Sequence, residues 1–321
     1  MIRRAFGSTG QILSVVGWGG FAAGGFMWGG QDDADTVASI HAAVDGGVNW
    51  LDTAPLYGSG KADAAVARAV AELPASRRPL IGTKFGHHVV DGQRITDNSP
   101  ARVVADCDAA LRAFSIDAID LFQMHWPAPT GIAETAAAVA ALVAAGKVKA
   151  VGLCNVDVPY LDAWLQAGGP LHAVQNRCSV FHQADVETVI PWCAARGIAY
   201  VAYSPLERGL LFGGWTPERT FAAGDHRSER PDFRGPRLAR RIAAAQAIAA
   251  LAAEDDETCA GLAIGALLCI DGLTACLVGA RNADQGTFLG QLGRPAKASQ
   301  VAAIDAIAAE LHRDLAAIGA S

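Results

Sequence analysis

Residues 119–153, IDLFQMHWPAPTGIAETAAAVAALVAAGKVKAVGL, carry the pattern that decides the fold. An apolar run at 119–124 leads into a histidine and a Trp-Pro loop. An alanine-rich helical stretch at 135–145 follows, and Gly146 stops it. A second apolar run then occupies 148–153. Two short strands around one helix make a βαβ unit, in which the helix carries the chain back so that the strands lie parallel.

The unit repeats in both directions along the chain. Strands are expected at 13–17, 48–52, 80–84, 119–124, 148–153, 172–175, 199–203 and 274–278. Helices are expected at 33–45, 61–72, 100–114, 135–145, 159–166, 187–196, 258–269 and 284–292. Ser99-Pro100 reads as an N-cap followed by proline at the first helical position. Gly46-Gly47, Gly146 and Gly197 stand where helices stop. Eight strands alternating with helices predict an α/β fold of the (β/α)8 TIM barrel type, as one domain over 1–321. The alternative is an open doubly wound sheet, which needs a glycine-rich phosphate loop between the first strand and helix. Gly17, Gly19, Gly20, Gly24 and Gly25 are present, but GWGGFAAGG shows no helical period. It reads as a loop that lets backbone approach a pocket. Outside the repeat, 3–14 reads as an N-terminal β-hairpin closing the barrel floor. Residues 205–236 read as a long polar loop, and 299–318 as a C-terminal helix.

Composition narrows the function classes. The chain has 321 residues, 51% hydrophobic and 18% charged, which is too apolar for disorder. Net charge is −6, and basic clusters are small (Arg77-Arg78, Arg240-Arg241), so no nucleic-acid partner is expected. Mean hydropathy is +0.23, yet the longest apolar runs, 136–145 and 261–270, fall well short of the ~20 residues that span a bilayer. The opening MIRRAFGSTGQ lacks an apolar core and reads as a mature N-terminus. Cysteines at 107, 154, 178, 193, 259, 269 and 276 form no C-x-x-C. Free thiols in a cytoplasmic protein, with no metal site, are the expectation.

Active sites of such barrels lie at the C-terminal ends of the strands. Asp52 ends one strand and Tyr57 follows in its loop; Lys84 ends the next, and His125 follows the one after. Each has a plainer reading alone: a turn cap, a loop aromatic, a solvated strand end, a core histidine. Together they place an acid, a phenol, an amine and an imidazole at one mouth. A lysine cation beside a phenol lowers its pKa, and an aspartate keeps that lysine charged.

These residues resemble the Asp-Tyr-Lys-His tetrad of the aldo-keto reductases. LDTAPLYGSG (51–60), GTKFG (82–86), DLFQMHWP (120–127), GKVKAVGLCN (146–155), AYSPLERGLL (202–211) and VGARNADQ (278–285) resemble the family's signature segments in order. The resemblance implies hydride transfer between NADPH/NADP and a small carbonyl substrate (aldehyde, ketone or aldose). Tyr57 is then the general acid, with Lys84 lowering its pKa, Asp52 holding Lys84, and His125 orienting the carbonyl. Two alternatives share the fold: a cofactor-bound regulatory subunit of the channel β-subunit type, and a sugar dehydrogenase working mainly in the oxidative direction.

By the same resemblance, Asn155 and Gln175 bind the nicotinamide carboxamide and Tyr203 stacks on its ring. Ser204, Leu206 and Gly209 face the pyrophosphate, Arg281 the ribose 2′-phosphate, and Gln285 the adenine end. The chain departs from the family pattern at Cys154 (usually Ser), Val278 (usually Pro) and Leu289 (usually Asn). Phe21, Trp28, Phe85 and Trp126 are expected to line an apolar substrate pocket. Arg208, Arg227, Arg230 and Arg234 read as a solvated loop.

Overall fold

The computed structural model describes residues 1–90 and 92–319. The barrel strands are β3 (Val16–Gly19), β4 (Trp50–Asp52), β5 (Leu80–Phe85), β8 (Leu121–Met124), β9 (Val151–Cys154), β10 (Ala173–Arg177), β11 (Ala199–Tyr203) and β12 (Leu273–Gly279). They close in the order β10-β11-β12-β3-β4-β5-β8-β9, every pair parallel. The fold is a (β/α)8 TIM barrel.

The outer helices are α1 (Asp33–Asp45), α2 (Lys61–Glu72), α3 (Pro100–Phe114), α4 (Ile132–Ala144), α5 (Val158–Gln166), α6 (Val189–Ala194), α7 (Gly235–Ala253), α8 (Cys259–Leu267), α9 (Ala283–Leu289) and α10 (Ala298–Gly319). Their starts are chemically marked. Asp32 accepts from the N–H groups of Ala34 and Asp35, Ser99 from Arg102, Asp157 from Tyr160, and Asn282 from Gln285.

Strand alternation sends one set of side chains toward the helices and the other into the barrel. The lower interior holds Trp50, Leu121, Ala150, Ala173, Ala199, Val201, Ala275 and Leu277, sealed by Phe6 and Leu13. Those two come from the hairpin β1 (Arg3–Ala5) and β2 (Ile12–Ser14), which plugs the floor as expected.

The structure corrects several sequence expectations. The first barrel strand is Val16–Gly19, because Ile12–Ser14 pairs antiparallel with Arg3–Ala5. Helix α7 follows directly on the long loop; its Leu238, Ile242, Ala245, Ile248 and Ala252 form a buried stripe. A second hairpin, β6 (His87–Val90) with β7 (Gln93–Thr96), follows the third barrel strand. The 205–236 segment contains three 3-10 turns, Glu207–Phe212, His226–Glu229 and Pro231–Phe233. Part of it is built into the mouth: Arg227 pairs with Asp225 at 2.6 Å and lies 4.8 Å over the Trp28 ring.

Candidate active site

Strand β4 delivers Asp52 to the upper barrel interior, and β5 delivers Lys84 beside it; both are buried. The Lys84 ammonium bonds Asp52 Oδ1 and donates to the Thr53 carbonyl at 3.0 Å. Burial pulls the Lys84 pKa down, but the Asp52 charge outweighs it, so the net direction is up and Lys84 stays charged. Thr53 is braced by its hydroxyl, which donates to Asp63 at 2.6 Å.

Tyr57 sits above this pair, its ring centroid 5.0 Å from Lys84 Nζ. Its loop packs backbone to backbone on the loop after β3. A Cβ on Gly24 would lie 2.6 Å from the Gly58 nitrogen, and one on Gly58 would lie 2.2 Å from the Gly24 carbonyl oxygen. Two glycines therefore set the height of Tyr57. Burial pushes its phenol pKa up, and Lys84 opposes that only in part. The expected lowering by Lys84 is present but does not prevail; Tyr57 is a neutral, proton-bearing phenol.

His125 packs edge-on to Tyr57 at 5.6 Å between ring centroids, and to His87 at 5.4 Å. Burial first, then the cations around it, holds its pKa well below 6.5, so the ring is neutral at pH 7. Its Nδ1 is buried without a partner among the described residues. A proton there would be an unsatisfied donor, so the ring carries it on Nε2.

The Asp52 Oδ2 oxygen accepts from Gln123 Nε2 at 2.8 Å and from Gln175 Nε2 at 2.9 Å. Tyr203 donates its hydroxyl to Asn155 Oδ1 at 2.7 Å, and Asn155 Nδ2 donates to the His125 carbonyl at 2.9 Å. Cys154 is buried beside them, its thiol pushed up to about 12 by burial.

These groups open on one cavity of about 560 Å³. It is lined by Asp52, Tyr57 and His125, by Phe21, Trp28 and Trp126, and by Asn155, Gln175, Tyr203, Ser204, Leu206, Gly209, Arg281 and Gln285. Lys84 lies behind Asp52 rather than on the wall. Phe85 is a correction: β5 runs one residue past Lys84, so Phe85 faces the helices, buried 4.9 Å from Phe122 and off the cavity. Arg281 is not a free cation either. It donates to Gln31 Oε1 at 2.7 Å and to the carbonyls of Trp28 and Gly30, tying loop 28–31 to the loop after β12.

Three residues of this mouth escape the sequence reading: Gln123, His87 and His226. His226 packs on Trp28 at 4.9 Å and bonds the Met27 carbonyl at 2.7 Å. Its signal is absent from the sequence, because its partners lie some two hundred positions away. Gln123 does leave one, as a polar residue inside the apolar run LFQM.

The class of molecule is defined by a parallel eight-stranded barrel with its polar constellation at the C-terminal mouth. The family profile described as "Aldo/keto reductase family" matches residues 16–309. The chain is 34% identical over 286 residues to the aldo-keto reductase YhdN of Bacillus subtilis, covering 88% of this chain and 86% of that one. It is 32% identical over 298 residues to an NADH-specific methylglyoxal reductase of Escherichia coli, covering 87% and 89%. The solved glycerol dehydrogenase of Gluconobacter oxydans superposes with a TM-score of 0.84 at 32% identity, covering 94% of this chain and 93% of that one. This protein belongs to the aldo/keto reductase family of oxidoreductases. Among the described residues no helix is long and apolar enough to cross a membrane.

Proposed function

We propose that the protein reduces the carbonyl group of a small aldehyde or ketone, with NADPH as the reductant and Tyr57 as the proton donor. The carrying observation is the buried Lys84–Asp52 pair beneath a neutral Tyr57 that faces the cavity.

The cavity suits a nicotinamide dinucleotide. It runs continuously from Tyr57 to Arg281 and Gln285. Arg94, Arg208, Arg219, Arg227, Arg230 and Arg281 line it, while the one carboxylate among the described lining residues, Asp52, is paired with Lys84. That balance favours a phosphorylated ligand. The backbone at Ser204, Glu207, Arg208 and Gly209 has φ of 53°, 49°, 56° and 98°, a left-handed run that turns the chain sharply beside Leu206. In this reading Ser204, Leu206 and Gly209 hold the pyrophosphate, and Arg281 with Gln285 the adenosine end. Asn155 and Gln175 hold the carboxamide, with Tyr203 against the ring. A reduced nicotinamide supplies a hydride to the carbonyl carbon when bound.

The chain's own residues do the rest. Tyr57 gives its proton to the carbonyl oxygen as negative charge develops there. Lys84 stabilises the phenolate left behind, and Asp52 keeps Lys84 charged and in place. His125, neutral, donates from Nε2 to the same oxygen and orients the carbonyl. Tyr57 starts protonated, as a proton donor must, and positioned acid catalysis is worth ~10²–10⁴-fold. Phe21, Trp28 and Trp126 shield the reacting carbon. The test is cofactor oxidation at 340 nm, with NADPH and NADH separately, over a panel including methylglyoxal and other short aldehydes, with glycerol as the reverse substrate. Turnover of no carbonyl by either cofactor overturns the assignment.

A further inference from the structure

We infer that Gln123 is a positioning residue that makes Gln175 an acceptor-only group toward the cavity, and so sets how the nicotinamide carboxamide is read. The inference rests on the proposed placement of that carboxamide beside Gln175.

Gln123 projects inward from β8 and is fully buried. Its amide orientation follows from its neighbour. An ionised carboxylate only accepts, so Gln123 and Gln175 must both turn their nitrogens toward Asp52 Oδ2. That leaves Gln123 Oε1 on the other side, where it takes the remaining amide hydrogen of Gln175 at 3.0 Å. Both hydrogens of Gln175 are thereby engaged. Its side-chain hydrogen bonds to described residues both run through Nε2, which leaves Oε1 open, and Gln175 lines the cavity. The group offered to a ligand is thus a lone acceptor, which selects an N–H over a carbonyl.

The neighbouring strand is shaped for this side chain. A Cβ on Gly152 of β9 would lie 2.7 Å from Gln123 Cγ and 3.2 Å from its Oε1. Glycine at 152 leaves the space through which Gln123 reaches the barrel axis. Cys154, on the same strand, places its sulfur 3.8 Å from Gln123 Oε1. Two positions on β9 therefore face Gln123 without touching Asp52 in any hydrogen bond.

The probe is binding, read by quenching of tryptophan fluorescence. The ligands are NADPH and its 3-acetylpyridine analogue, which keeps the carbonyl and replaces the amide NH2 by methyl. Wild type should bind NADPH about tenfold more tightly, the worth of roughly one hydrogen bond. In Gln123→Met, of similar length, one Gln175 hydrogen is released to serve a ligand carbonyl. The preference should fall to threefold or less. Gly152→Ala, which displaces Gln123 without changing any polar group, should narrow it in the same direction. Near-UV circular dichroism confirms that each variant is folded. A variant that is folded and keeps the wild-type ratio overturns the role of Gln123. Wild type that binds both ligands equally well overturns it differently, by removing Gln175 from the carboxamide. Wild type that binds neither of these ligands nor NADH overturns the reductase reading itself.

Discussion

Arg241 on helix α7 donates to Glu207 Oε2 at 2.6 Å, tying an outer helix to the left-handed turn after β11. Arg177 on β10 donates to the same carboxylate at 2.8 Å, and the Ser179 hydroxyl completes its shell. Glu207 is 1% exposed. Burial alone would raise its pKa, but the two arginines prevail and hold it below the ordinary carboxylate range. This pairing fixes the turn that presents Leu206 and Gly209 to the cavity. Non-glycine residues at positive φ persist only when surrounding structure over-determines them.

Glu207→Gln should therefore be strongly destabilising at pH 7. It leaves two guanidinium groups short of their counter-charge, and breaking a buried pair typically costs ~3–5 kcal/mol. Because the folded pKa of Glu207 is depressed, its contribution is full above the unfolded carboxylate pKa and fades as pH falls through the folded one. The gap in urea midpoint between wild type and variant should shrink on acidification below pH 4.5. An unchanged midpoint at pH 7 would show the cluster to be energetically silent.

Tyr57→Phe keeps the ring and removes the proton. Under the proposed chemistry, carbonyl reduction should fall by ~10² or more, with cofactor binding intact. Lys84→Met should be slow as well and also less stable, because it strands the buried Asp52 carboxylate. Asp52→Asn should be milder, since Lys84 still donates to the Thr53 carbonyl. Single-turnover rates separate these effects from product release. Near wild-type rates in Tyr57→Phe remove Tyr57 from its role.

Asp63 gives a pH signature of opposite sign to Glu207. Burial pushes its carboxyl up to about 6, against the Thr53 hydrogen bond and the Lys84 charge. A folded pKa above the ordinary ~3.9 means that the native state binds the proton more tightly, so stability declines as pH rises from ~4 to ~6. Asp63→Asn retains an acceptor for the Thr53 hydroxyl and carries no charge. It should be more stable than wild type at pH 8, by up to ~3 kcal/mol at 1.36 kcal/mol per pKa unit. The advantage should diminish toward pH 5. Urea titrations at the two pH values check the sign; a constant difference contradicts it.

What the sequence made legible was what local chemistry encodes. Ser99-Pro100 marks a helix start in one dipeptide, and α3 begins there. The stretch LSVVGWG at 13–19 offers two registers, and only pairing of Ile12–Ser14 with Arg3–Ala5 decides between them. Helix α7 opens with Gly-Pro-Arg and carries Arg240-Arg241, which reads as polar surface. Its Arg241 is buried only because Glu207, 34 positions earlier, faces it. Phe85 misleads for a similar reason: one more residue of β5 turns its side chain away from the cavity. The tetrad is legible because barrel topology sends successive strand ends to one mouth. Gln123 shows in the sequence only as a polar break in an apolar run, and its role comes from what faces it across the barrel.

The choice of cofactor is the remaining prediction, and it turns on Arg281. The relative from Escherichia coli is NADH-specific, so membership of the family does not settle the matter for this chain. Arg281 lines the cavity. Its guanidinium already bonds Gln31, Trp28 and Gly30, all neutral acceptors. No carboxylate among the described residues forms an ion pair with it, Asp225 acting on it only from a distance, so its charge is suited to a 2′-phosphate. A hydrogen bond to such a charged group is worth ~1.5–3 kcal/mol. Arg281→Ala should thus weaken NADPH binding roughly 10- to 150-fold, at 1.4 kcal/mol per decade. The same change releases loop 28–31, which a rigid reading of Arg281 as a phosphate contact would overlook. NADH, with only a hydroxyl at the 2′ position, should lose just the loop's share, a few-fold. Added salt should weaken NADPH binding more than NADH binding, since the site is partly exposed. Fluorescence titration of both cofactors in wild type and variant measures the two losses side by side. Equal losses would make Arg281 a loop anchor alone and place the cofactor preference elsewhere in the cavity.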